Sequence, residues 1–247
     1  MTALSKIIRV EAKLFLRDPV GTFFAIAFPA LLILVLGLAM PGVRDPSDDL
    51  DGRRPLEVYL PITMTLAIAT VTMVTLVGVL ASYRERGVLR RLSTTPVSPT
   101  ALLVAQVAVN VAALLVACGL AWLVAATVFA VPPPGNAVGF VLAFTLGSST
   151  MCALALLVAA VTASARASSG IGMLIYFPMM FFAGVWTPGP QMPDVVRKIA
   201  DFTPLGAASQ AVQDAWVGSW PTLMHLAVMV AFTVVLGGAA ARYFRWE

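Results

Sequence analysis

From Ala101 to Ala165 the chain runs for 65 residues without one charged side chain, and from Val58 to Ala81 it does so for 24 more. A soluble domain carries a charge at about one residue in four, so neither run suits a wetted surface. A hydrocarbon layer about 30 Å thick is crossed by roughly 20 apolar residues of helix. In lipid the backbone must bond to itself, which makes uncharged runs of that length helices. The rest of the chain agrees: of 247 residues 60% are hydrophobic and 11% charged, with a mean hydropathy of +0.92. The expected fold is an all-α polytopic membrane protein, one transmembrane domain over 1–247.

Six spans are expected, at 22–40, 58–81, 101–131, 137–161, 169–186 and 222–241. The breaker "PPPGN" separates the third from the fourth. The first apolar run ends at Pro41 without an A-x-A site, so it reads as a retained span rather than a cleaved signal. Cys118 and Cys152 lie inside apolar runs with no CxxC or Cys/His cluster, and read as small packing residues.

Before the first span, residues 1–19 place Lys6, Arg9, Lys13 and Arg17 at steps of 3, 4 and 4, on one helical face. Leu4, Ile7, Ile8, Leu14 and Phe15 line another. The pattern predicts an amphipathic helix in the membrane interface, apolar face down and cations near anionic headgroups. It serves equally as a topology anchor and as a grip for a cytosolic partner.

Between the second and third spans the segment 82–98 falls on a dense basic knot, "YRERGVLRRLSTTPVSP", which runs from Tyr83 to Pro99. With both termini inside, the cytoplasmic face carries 11 of the 16 basic residues and the outer face 5, while 8 of the 12 acids lie outside. The positive-inside rule therefore puts the knot in the cytoplasm, and topology alone would account for its arginines. Ser98 and Pro99 fit a helix cap followed by a first-turn proline.

Residues 187–220 hold prolines at 188, 190, 193 and 204, which forbid one continuous helix. "PDVVRKIADF" reads as a short amphipathic helix and "GAASQAVQDAW" as a second. Broken helices at membrane depth persist only where protein covers them or a cavity runs beside them, so the pair is expected to dip into the outer leaflet and return.

The chemistry of an enzyme is missing from the sequence. There is no GxxxxGK[ST], HExxH or GxSxG pattern and no paired intramembrane carboxylates. The single histidine, His225, has no acid or cysteine at helical spacing and reads as an interfacial or hydrogen-bonded residue. The expected spans contain no Asp, Glu, Lys or Arg to carry a proton relay. Their polar groups, among them Gln106 and Asn110 one turn apart and the Ser148, Ser149, Thr150 cluster, suit interhelical hydrogen bonds, or a polar spot on a transport path.

The knot and "FFAGVWTPGPQMPDVVRKIADFTPLGAASQAVQDAW" together resemble the permease subunits of ABC-2 type transporters, and among them the bacterial drug and antibiotic exporters of the daunorubicin-resistance type. The knot resembles that family's charged segment after the second span, which ends in a Thr-Pro turn, here Thr95–Pro96. Pro188, Met192–Pro193 and Thr203–Pro204–Leu205 are similar to its outer re-entrant region. Some members carry an acid just after the Gly-x-Leu step, where this chain has Arg90.

The resemblance implies a type V exporter fold in the bacterial cell membrane, in which two six-span permeases, identical or paralogous, each sit on a cytosolic ATPase subunit. ATP and magnesium belong to that partner, and this chain carries no cofactor, no catalytic residue, no metal and no nucleic-acid contact. The knot becomes the coupling helix. Arg84, Glu85, Arg86, Arg90, Arg91, Leu92, Thr95 and Pro96 are its expected contact segment, with Arg84, Arg86, Arg90 and Arg91 on exposed faces. The cargo is an amphipathic or lipid-like small molecule. Phe177, Met179, Met180, Phe181 and Phe182 are candidates for its path, as are Gln106 and Asn110; the aromatics and methionines suit lipid-facing or packing positions equally. Within the same architecture a polysaccharide or teichoic-acid lipid is the alternative cargo. An intramembrane enzyme or a channel is a more distant reading.

Overall fold

The structure, a computed structural model, describes residues 3–50, 52–88, 99–162, 164–188 and 192–243. Its helices are α1 (Ala3–Leu16), α2 (Pro19–Ala39), α3 (Pro55–Glu85), α4 (Pro99–Phe129), α5 (Ala137–Val161), α6 (Ala165–Phe182), α7 (Asp194–Asp201), α8 (Pro204–Trp216) and α9 (Leu223–Tyr243). No strand forms among the described residues. Local chemistry sets the helix starts. The side chains of Asp18, Asn136, Ser164 and Thr203 each accept a hydrogen bond from a first-turn backbone N–H. Pro19, Pro55 and Pro204 sit in first turns, where a missing N–H costs nothing.

Five helices, α2, α3, α4, α5 and α9, are long and apolar enough to cross a membrane. α6 covers most of the expected fifth span but differs from those five. It has 18 residues and opens in the polar stretch "ARASSG" with Arg166. It stops at Phe182, four residues before the expected end, because the chain turns through Gly184 at a φ of 85°.

α3 is the central post. In its most apolar stretch 78% of residues are buried, against 28% in α2, 33% in α4 and 17% in α9. α1, α2 and α4 pack together along one flank of α3, and α5, α8 and α9 along the other, with α6 beside them. Close approaches use glycine. A β-carbon at Gly37 of α2 would lie 2.3 Å from the Phe129 ring of α4. Polar pins join helices as well: Thr150 donates to the Met229 carbonyl of α9 at 2.9 Å and pairs with Thr233 at 2.8 Å.

Two of the membrane helices loosen to π-helical turns, at Phe23–Ala27 and at Thr70–Leu76. The first directly precedes Pro29, whose ring and missing N–H disturb the regular ladder. In the second, Thr70 and Thr72 bond back to the carbonyls of Leu66 and Ile68, and Tyr176 of α6 bonds the Thr70 hydroxyl.

α7 and α8 occupy the end of the bundle away from α1. α8 is buried against α5, α3 and α9. α7 leaves Val195, Ile199 and Phe202 exposed, so its apolar side faces out from the fold.

Candidate functional site

The polar groups with the farthest reach meet where α1 touches the end of α3. The cations Lys6, Arg9 and Lys13 of α1, and Arg17 just past its end, are exposed, as an interface helix requires. The opposite face does not consist of carbon alone. Glu11 takes a core-facing position there, in register with Ile7, Ile8 and Phe15, and is only 6% exposed. Its Oε2 accepts the Tyr83 hydroxyl at 2.6 Å and the Gln106 amide at 2.5 Å. One carboxyl thus joins α1, α3 and α4. Burial pushes it above the usual carboxylate range, opposed by the bonds from Tyr83 and Gln106. Asn110 extends the group, donating to the Gln106 backbone carbonyl at 2.7 Å, while its own buried carbonyl oxygen has no partner among the described residues.

Arg84, next to Tyr83, reaches the other way. Its Nη1 donates to the carbonyls of Ala159, Ala160 and Thr162 at 3.4, 3.2 and 2.9 Å. These carbonyls close the C-terminus of α5, where orphan acceptors and the negative end of the helix dipole favour a cation. The sequence places Arg84 among the exposed arginines of a docking helix; here it is half-buried and committed to α5. Glu85 and Arg86 are exposed. α3 ends through Gly87 at a φ of 65°, a conformation open to glycine without strain. Arg90, Arg91, Leu92, Thr95 and Pro96 lie outside the described residues.

A cavity of about 570 Å³ opens beside this group. Glu11, Asp18, Tyr83, Arg86 and Gln106 give it polar walls, and Phe15, Val74 and Val79 apolar ones. Of the expected path residues, Gln106 therefore lines a cavity and Asn110 stands behind it. The α6 candidates are not brought together with them. Phe177 and Phe181 are exposed, Met180 is buried, and Met179 packs against the core.

His225 anchors a second polar group at the far end. Its Nδ1 meets the Thr222 hydroxyl at 2.6 Å and lies 3.9 Å from Asp214, and its Nε2 meets Asp201 at 3.2 Å. The acids come from α7 and α8, which is why no acid stands at helical spacing in the sequence. Burial pushes Asp214 above the usual carboxylate range, and His225 opposes the shift.

Glu11 is the candidate site residue that sequence reasoning missed. Its signal was present: it is the one acid in α1 and it interrupts the apolar positions 4, 7, 8 and 15. No curated protein matches the chain. The family model for ABC-2 type transporters matches residues 2–217, which takes in α1, the knot, every helix through α8 and both polar groups apart from Thr222 and His225. The chain belongs to the ABC-2 type transporter family.

Proposed function

We propose that this chain is the membrane half of an ATP-driven exporter that moves an amphipathic or lipid-like small molecule, of the drug and antibiotic class, out of the cytoplasm or the inner leaflet. Family membership makes it a transport permease rather than an ATP-hydrolysing subunit. In this reading ATP and magnesium sit on a separate cytosolic ATPase, and two permeases meet across the transport path. α6 is a sixth span of a bacterial inner-membrane protein, with both termini in the cytoplasm. α7 and α8 form the outer re-entrant pair.

The observation that carries the coupling half is the pair Tyr83 and Arg84. Two successive residues fix the end of α3 to α1 and α4 on one side and to α5 on the other. The basic segment that follows Gly87 leads directly from this junction. A partner that grips it, or grips the exposed cations of α1, pulls on both flanks of the bundle at once. The cavity beside Glu11 has the mixed polar and apolar walls an amphipathic molecule needs.

The test is co-purification of the ATPase together with ATP-driven uptake of a fluorescent amphiphile into inverted vesicles. Arg90→Glu with Arg91→Glu should abolish ATPase capture or uncouple hydrolysis from uptake, since like charges facing each other at an interface cost several kcal/mol. Arg166→Glu with Arg242→Glu is the control. Both residues are exposed and lie on the same side of the bundle, so the topological charge change is equal. An Arg90/Arg91 variant that inserts, binds and transports like the parent removes the coupling assignment. Phosphate release by the purified chain alone, above a vesicle blank, would remove the permease reading.

A further inference from the structure

α4 and α5 follow one another in the chain, yet they make almost no direct contact. Consecutive elements usually neighbour each other. Here α4 packs on α1, α2 and α3, and α5 on α8 and α9, so the two diverge from their connecting turn. The turn braces them apart. Pro132, Pro133 and Pro134 favour an extended, stiff backbone. The N–H groups of Gly135 and Asn136 then bond the carbonyls of Trp216 and Ala215, which fixes the α5 side of the turn to α8.

The space between them is a cavity of about 370 Å³, within the roughly 300–1,000 Å³ of small-molecule sites. Its floor is Met64 of α3 and its inner wall Phe144 and Trp216. Leu115, Gly119 and Trp122 of α4 and Val141 and Thr145 of α5 form the mouth, and all five are exposed. Among the described residues no charged side chain lines it. Pro133 and Pro134 close the cleft at the turn. Val141 and Thr145 lie within about 12 Å of the start of α5, inside the roughly 15 Å depth of one hydrocarbon leaflet, while Leu115 stands about 21 Å along the axis from the end of α4.

We infer that this cleft is a binding site for the acyl chain of a membrane phospholipid, which fills the gap between α4 and α5 from the leaflet next to the proline turn. Both walls are membrane-crossing helices, so the molecules that meet the mouth are lipid chains. A void would forfeit the dispersion contacts of every wall atom, and dry apolar cavities take up apolar ligands. The brace and the packing of each helix on its own flank keep the cleft from closing. The uncharged lining grips the chain and leaves the headgroup to the surface.

Trp216 reports on occupancy, because it lines the cleft while only 6% exposed. The full-length permease, with Trp122, Trp186, Trp220 and Trp246 changed to Phe, is reconstituted in phosphatidylcholine with dibrominated acyl chains, a short-range quencher, and compared with the unbrominated lipid. Quenching of Trp216 by about half or more is expected. Gly119→Leu fills the mouth, and a β-carbon there meets nothing within 4 Å, so the variant should fold. It should cut the quenching at least two-fold, as should Thr145→Phe from the opposite wall. Gly170→Leu, at a glycine equally open but outside the cleft, should not. Unquenched Trp216 in the parent overturns the inference, as when a second protein covers the mouth. So does quenching that neither filler changes.

Discussion

The two ends of α3 are held by the same device and to different effect. At the far end Arg54 donates to the Phe129 and Ala130 carbonyls, both at 3.1 Å, which close the C-terminus of α4. Arg44 bonds the Gly37 carbonyl and lies over the Phe129 ring, so this end ties α3, α4 and α2 into one flank. At the α1 end Arg84 caps α5 on the opposite flank, while its neighbour Tyr83 holds Glu11 and through it α4. One end consolidates a flank; the other bridges the two. A pull on the bridged end reaches the whole bundle, whereas the far end resists it.

Reversing each arginine separates these roles most sharply. Arg84→Glu loses bonds from a charged donor, roughly 1.5–3 kcal/mol, and turns a carboxylate toward a helix C-terminus that favours cations. The melting temperature should fall and ATP-driven uptake should collapse. Arg54→Glu should lower the melting temperature comparably, while uptake per folded molecule stays near the parent's. Equal loss of uptake in both variants would erase the distinction between the ends.

Glu11 gives the next largest effect. Glu11→Ala strands the buried Gln106 amide, a penalty of about 1–3 kcal/mol, and the part-buried Tyr83 hydroxyl, a smaller one. Glu11→Gln keeps an acceptor and removes a buried charge, so its stability should stay within about 1 kcal/mol of the parent. Thermal unfolding of both in one detergent checks the order. The same melting point for both would mean that α1 is held by its apolar side chains alone.

At the far end a smaller change should stabilise. Ala130 has a φ of 52°, the left-handed conformation that glycine commonly supplies at helix ends, and the Val131 N–H reaches back to the Ala125 carbonyl. A left-handed alanine costs about 1 kcal/mol, so Ala130→Gly should raise the melting temperature slightly without altering uptake. A drop would show that the Arg54 contact needs the alanine's stiffness.

The smallest effect is on pH. Glu11 at one end and Asp214 at the other are both pushed above their ordinary range by burial. For such a group the contribution to folding is full below the unfolded-state value and is lost as pH rises through the folded one. Stability should therefore increase as pH falls from neutral toward the ordinary carboxylate range. Glu11→Gln and Asp214→Asn should each remove part of that slope, the first at the α1 end and the second beside His225. An unchanged slope in either variant locates the titration elsewhere.

The all-helical membrane architecture was legible because apolar solvent imposes one rule on every backbone group, and a run of uncharged residues states that rule openly. The second short helix was legible in "GAASQAVQDAW", while its cap at Thr203 and first-turn Pro204 were not read as its start. The bridge was not. Glu11 meets partners 72 and 95 residues away, and nothing near residue 11 specifies Tyr83 or Gln106. Arg84 was more hidden still, since its acceptors are main-chain carbonyls that any sequence possesses. An arginine counted as surface charge is therefore a structural cap. α6 was blurred by Arg166 and the serines at its start, whose polarity masks where the helix begins.

The arginine caps also set a timetable for synthesis. Arg54 waits for carbonyls 75 and 76 residues later in the chain, and Arg84 for carbonyls 75, 76 and 78 residues later. A ribosome adding about 5–20 residues per second needs roughly 4–15 s to make that length. Both guanidiniums therefore spend the same interval at the membrane surface without the helix end they will hold. The far end can be closed once Ala130 has been added, and the bridged end only after Thr162. A stall between those two points leaves α3 fastened at both ends to the flank of α1, α2 and α4, through Arg54 and through Tyr83 and Glu11, and not yet bridged to α5.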